Sequence, residues 1–188
     1  MIQSGIRNDP QIYLQRGICY ENLEDWASAL VEFSQCISLI PSYSKAYYHR
    51  GLCKIYTGDQ SGVNDFDLAI KYDPKFFDAY ITRATYHHSQ ENYVAAIEDC
   101  NIALMLEPTS IAAFLLRGTC RCKLDQSSKA ITDFTSAVVL DKSSFTPFFN
   151  RATAQHLQGN LSSAIQDYSI VLLLTDDPVS IFDIVGLS

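Results

Sequence analysis

The sequence predicts an all-α fold, an α-solenoid of stacked antiparallel helix pairs, on three observations. An aromatic residue, followed three positions later by Arg and then by Gly or Ala, recurs five times: YLQRG at 13–17, YYHRG at 47–51, YITRA at 80–84, FLLRG at 114–118 and FFNRA at 148–152. The arginines Arg16, Arg50, Arg83, Arg117 and Arg151 lie 34, 33, 34 and 34 residues apart, an interval typical of helical-repeat arrays. Between them, small and aromatic residues return at spacings of three and four, which puts them on single helix faces.

Each unit reads as helix A, turn, helix B, turn. On helix A the small residue after Arg is Gly17, Gly51, Ala84, Gly118 or Ala152. A second small residue opens helix B at Ala29, Gly62, Ala96, Ala130 and Ala164. Four positions on stands Phe33, Phe66, Cys100, Phe134 or Tyr168, and three further Cys36, Ala69, Ala103, Ala137 or Val171. Glycine inside a helix costs about 1 kcal/mol against alanine, so its recurrence implies close packing between the two helices. Gly58-Asp59 and Gly159-Asn160 mark the turn between helices in two units, and Pro41, Pro74 and Pro108 close the first three. The second unit is one residue short, between Asp59 and Gly62, where a turn should tolerate it.

These residues resemble the tetratricopeptide repeat family. The resemblance covers residues 10–178 and divides the chain into an N-terminal segment 1–9 and repeats at 10–43, 44–76, 77–110, 111–144 and 145–178. It implies a right-handed superhelix of stacked hairpins. The departures are Arg at the place where the family usually has Leu, and Lys142 and Asp176 where it has Pro. Residues 179–188 continue the phase, since Phe182, Val185 and Gly186 fall 34 positions after Phe148, Arg151 and Ala152. They read as the truncated start of a sixth repeat. Either the array is longer, or its open C-terminal end self-associates with another copy.

An acid follows each arginine by sixteen residues, or fifteen in the short unit: Glu32, Asp65, Asp99, Asp133 and Asp167. Two readings stand. The arginines could line a groove and bind carboxylates, or each could bond an acid on helix B of its own or the preceding unit. The matched acids favour structural ion pairs, for which the arginine fork is suited.

Composition narrows the function classes. With 14 basic and 21 acidic residues the net charge is −7, which disfavours nucleic acid and anionic membrane as partners. Five of the seven arginines sit in the repeating slot. The chain has no apolar run long enough to span a bilayer and no signal-peptide core at its start, so an intracellular, cytoplasmic location is expected. Cys19, Cys36, Cys53, Cys100, Cys120 and Cys122 read as reduced, buried small residues rather than disulfides or a metal site. No phosphate loop, nucleophile elbow or metal motif appears, and His87-His88 cannot chelate as a helical i, i+4 pair. The chain therefore reads as non-enzymatic, with no cofactor.

In the resembled family the concave wall comes from helix A. Carried onto this chain, it comprises Leu14, Ile18, Tyr48, His49, Leu52, Tyr56, Ile81, Thr82, Thr85, Leu116, Phe149, Asn150 and Thr153, with Gln15 beside them. Some members hold a C-terminal carboxylate with Lys, Asn and Arg on this wall. The corresponding residues here are Leu14, Ile18, His49, Asp78 and Thr82, so that clamp is missing in this frame and in the later ones. The expected partner is a peptide or amphipathic helix of another protein, held by apolar anchors. Alternatives are a self-associating module or the substrate-targeting arm of a larger enzyme. Similar arrays occur in cytoplasmic and ciliary assembly proteins, an analogy only.

Overall fold

In the computed structural model, residues 9–175 are described, and these form ten α-helices with no strand among them. The A helices are α1 (Pro10–Asn22), α3 (Ser44–Tyr56), α5 (Phe77–Ser89), α7 (Ile111–Lys123) and α9 (Phe145–Leu157). The B helices are α2 (Trp26–Leu39), α4 (Gly62–Tyr72), α6 (Tyr93–Leu106), α8 (Ser127–Leu140) and α10 (Leu161–Leu174). The chain divides into two compact units after Arg83. Residues 179–188 lie outside the described residues.

Glycine on helix A is required by the ring facing it. A Cβ on Gly17 would stand 2.5 Å from Phe33 Cε1, and one on Gly118 equally close to Phe134 Cε1. Phe33, Phe66 and Phe134 are almost fully buried, and burying a side chain of this size is worth about 1.5–3 kcal/mol. Where helix A carries Ala84, helix B carries Cys100 instead of Phe, and both are buried in one cluster with Ala96 and Cys120. The methyl group on one helix is thus offset by the smaller side chain on the other.

The missing residue of the second repeat does more than shorten a turn. The other B helices have 14 residues and α4 has 11. Gly62, Val63 and Asn64 donate to the carbonyls of Asp59, Gln60 and Ser61, the tight i to i−3 pattern of a 3₁₀ turn. The deletion falls in the turn between the helices, as expected, and these bonds tighten the lead into helix B. Gly62 is needed there, because its Cβ would lie 2.5 Å from the Gly51 carbonyl oxygen.

Every A helix is followed by a left-handed residue: Glu24, Gly58, Glu91, Asp125 and Gly159, with φ of 57°, 85°, 58°, 58° and 83°. Helix B starts behind a side-chain cap in two repeats, with Asp25 accepting from Ser28 N and Asn92 from Ala95 N.

Candidate partner-binding surfaces

The recurring aromatic and arginine act as one unit. Three residues apart on a helix, they lie on one face, and each guanidinium carbon sits 5.3–5.8 Å from the ring centroid of Tyr13, Tyr47, Tyr80, Phe114 or Phe148. The two buried tyrosines also use their hydroxyls, Tyr47 donating to the Pro41 carbonyl at 3.0 Å and Tyr80 to that of Pro74 at 3.4 Å.

Arg50 grips Asp65 through Nε at 3.0 Å and Nη2 at 2.7 Å, and Arg151 grips Asp167 in the same fork, both at 2.7 Å. Arg117 Nη2 lies 2.7 Å from Asp133, while its Nη1 donates to Asn101 on the preceding B helix. Arg83 donates to Asp67 at 2.6 Å, and Arg151 reaches Thr135, so the arginine also ties neighbouring hairpins. Arg16 bonds Glu32 at 2.8 Å with half its side chain in water, and Glu32 Oε2 is buried with no hydrogen-bond partner. Asp99 is buried, with His87 Nε2 at 4.0 Å. The hydrogen bonds to Glu32 and Asp65 hold the guanidinium groups of Arg16 and Arg50 above their usual range.

Sequence reasoning missed a second cation. Lys54 lies 2.8 Å from Asp65 Oδ2 and Arg121 2.6 Å from Asp133 Oδ2, one helical turn after the repeating arginine and sharing that oxygen with its Nε. At that phase the other repeats carry Tyr20, His87 and Gln155, so periodicity did not expose it.

In the first unit a cleft of about 290 Å³ runs between α1, α3 and the start of α5. Leu14, Ile18, Tyr48 and Phe76 form its apolar part, and Gln11, Gln15, Lys45, His49 and Asp78 its polar edge. Leu14 is only 2% exposed and belongs to the floor. Tyr48 packs 5.0 Å from Phe76, and its hydroxyl lies 3.2 Å from Thr82 Oγ1. Burial above all raises the pKa of its phenol. His49 Nδ1 meets Glu21 Oε2 at 2.7 Å. Leu52 and Ile81 are half-buried, Thr85 is exposed, and Tyr56 leaves the cleft to stack on Trp26.

In the second unit Phe149, Asn150 and Thr153 line a smaller cleft of about 130 Å³ with Thr119, Cys122 and Phe134. Leu116 is half-buried against the Cys100 and Cys120 cluster. A further cleft of about 320 Å³ is bounded by the repeat residues Pro108 and Phe114 and by Val139 and Leu140 of α8.

The cysteines require one correction. Cys36, Cys53, Cys100 and Cys120 are buried, and burial pushes their thiols up to about 11, 12, 12 and 11. Cys19 is exposed instead. Its counterpart Cys53 packs against α2 of the preceding hairpin, whereas α1 has no preceding hairpin among the described residues.

Hairpins with this packing match solved structures over most of this chain. YrrB, described as a TPR protein with an unusual peptide-binding site, superposes with a TM-score of 0.80 at 16% identity, over 93% of this chain and 90% of its own. The chain has the tetratricopeptide-repeat fold. MamA of Desulfovibrio magneticus RS-1 matches this array with a TM-score of 0.82 at 19% identity, over 89% of this chain and 97% of its own. The C-terminal part of a TPR repeat-containing protein of Cytophaga hutchinsonii gives 0.79 at 20%, covering 90% and 68%. By sequence, the Hsp70-Hsp90 organizing protein of Triticum aestivum is 27% identical over 67 residues, 35% of this chain and 12% of that protein. Hsp70-Hsp90 organizing protein 3 of Arabidopsis thaliana is 29% identical over 69 residues, 36% and 12%. The matches thus span about an eighth of those relatives. No family model matches the chain. Among the described residues no helix is long and apolar enough to cross a membrane.

Proposed function

We propose that the chain is a non-enzymatic interaction scaffold whose α1/α3/α5 cleft receives a peptide or amphipathic helix of a partner protein. The observation that carries this is the cleft itself: an apolar floor around Ile18, Tyr48 and Phe76 with a polar edge that fixes orientation. The ion-paired arginines are spent on hairpin seams and do not bind the partner. Recognition does not use a carboxylate clamp, because Leu14, Ile18, His49, Asp78 and Thr82 supply none of the required Lys, Asn and Arg set. The naming of YrrB for a peptide-binding site and of the plant relatives as organizing proteins agrees with a binding role. The second unit carries a cleft of its own at Phe149, Asn150 and Thr153.

Affinity capture from cell extract with the intact chain tests this. Tyr48→Ala and Ile18→Glu are expected to lose a specific set of captured proteins at least about tenfold. Capture that neither variant diminishes contradicts the reading. A second reading, pairing of two copies, is favoured by α10, where Ile165 and Leu173 are 64% and 83% exposed. Sedimentation over a concentration series decides it: a strictly monomeric species removes the pairing.

A further inference from the structure

We propose that the cleft formed by Trp26, Tyr56, Glu21 and Glu24 binds an arginine side chain of a partner protein. The inference deepens the groove reading and rests on it only in taking the partner to be a protein segment. Trp26, at the start of α2, and Tyr56, at the end of α3, stack with centroids 5.0 Å apart and planes 13° apart. They face an open cleft of about 530 Å³ whose other lining residues are Glu21, Asn22 and Glu24. Tyr56 is 68% exposed, so the indole holds one face of the phenol and leaves the other to solvent. A ring held flat in this way presents its negative face to a cation.

Charge on the cleft has one sign. Glu24 is exposed, and Glu21 is anchored by its bond to His49. The C-termini of α1 and α3 also end here, and α1 has no basic residue in its last turn to offset its negative pole. Lys54, in the last turn of α3, is drawn away to Asp65. A guanidinium satisfies the ring and the carboxylates together, with a planar face for one and a donor fork for the others. The arrangement is not a demand of the repeat, since Asn22, Ser89, Lys123 and Leu157 hold the phase of Tyr56 elsewhere. The Glu21–His49 pair joins this cleft to the apolar groove, because His49 lines the one and Glu21 the other. The partner segment therefore carries an apolar stretch next to an arginine.

Trp26 is the chain's single tryptophan, so its fluorescence reads the site directly. The probes are N-acetyl-arginine amide and N-acetyl-citrulline amide, which keeps the planar group without the charge. The arginine probe is expected to give a saturable change in the millimolar range and the citrulline probe a response at least about fivefold weaker. Glu24→Gln weakens arginine binding about threefold and Tyr56→Leu abolishes it, both with unchanged far-ultraviolet circular dichroism. Equal responses to the two probes, or no saturable response, overturn the proposal. Tyr48→Ala separates it from the groove reading. A failed titration with capture that still depends on Tyr48 removes the arginine site alone. An intact titration with capture indifferent to Tyr48 removes the groove and leaves the arginine site.

Discussion

Asp133 is 1% exposed and is held by two cations: Arg117 donates to Oδ1 through Nη2 at 2.7 Å and to both oxygens through Nε at 3.2 Å, and Arg121 donates to Oδ2 at 2.6 Å. Removing either arginine leaves the carboxylate with one partner, so Arg117→Met and Arg121→Met should each cost about 1.5–3 kcal/mol, the worth of a charged hydrogen bond. Removing both strands a buried charge, and breaking a buried pair in that way costs about 3–5 kcal/mol on its own. The double variant should therefore cost about 3–5 kcal/mol, comparable to the two singles taken together. Adding Asp133→Leu removes the stranded charge and should restore most of the loss. Urea unfolding followed by circular dichroism at 222 nm reads all four proteins. A triple variant no more stable than the double would refute the idea that seam charges are set against a buried acid.

Gly118→Ala puts a methyl 2.5 Å from the Phe134 ring and should cost about 1–3 kcal/mol, with Phe134→Leu recovering part of it in the double variant. Gly159→Ala meets nothing within 4 Å, so its expected loss of about 1 kcal/mol reports the positive φ alone, and Glu91→Gly at φ 58° should be neutral or stabilising. A thiol reagent at neutral pH should label Cys19 rapidly and Cys36, Cys53, Cys100 and Cys120 only after denaturation. Because burial raises these four thiols from 9.0 to about 11–12, their neutral form stabilises the fold below pH 9, and that contribution is lost as pH rises toward 12, which a urea-midpoint series in alkali would show.

Much of this was legible in the sequence because the constraints repeat. A sixteen-residue offset between Arg and acid, and a small residue facing a ring, appear often enough to align by eye. Features that no constant residue type marks escaped. Lys54 and Arg121 are second cations in two units, and the left-handed turn residue is recognisable as Gly58 and Gly159 but not as Glu24, Glu91 or Asp125. The wall was readable by phase, yet the accessibility of its members was not. Leu14 sinks into the floor and Tyr56 turns to Trp26 because neighbouring hairpins, absent from any single-repeat pattern, decide what each side chain meets. Cys19 fails as a buried residue for the same reason, lying on the first helix.

Partner recognition through the first-unit cleft is tested most directly by amide chemical-shift mapping. A peptide selected from a random library by panning against the intact chain is titrated into the isotope-labelled protein. Perturbations concentrated at Gln15, Ile18, Tyr48 and His49, and lost in Tyr48→Ala, are predicted. Shifts confined to the outer residues of α2 and α4, or a selected peptide that binds Tyr48→Ala with equal affinity, would contradict the account.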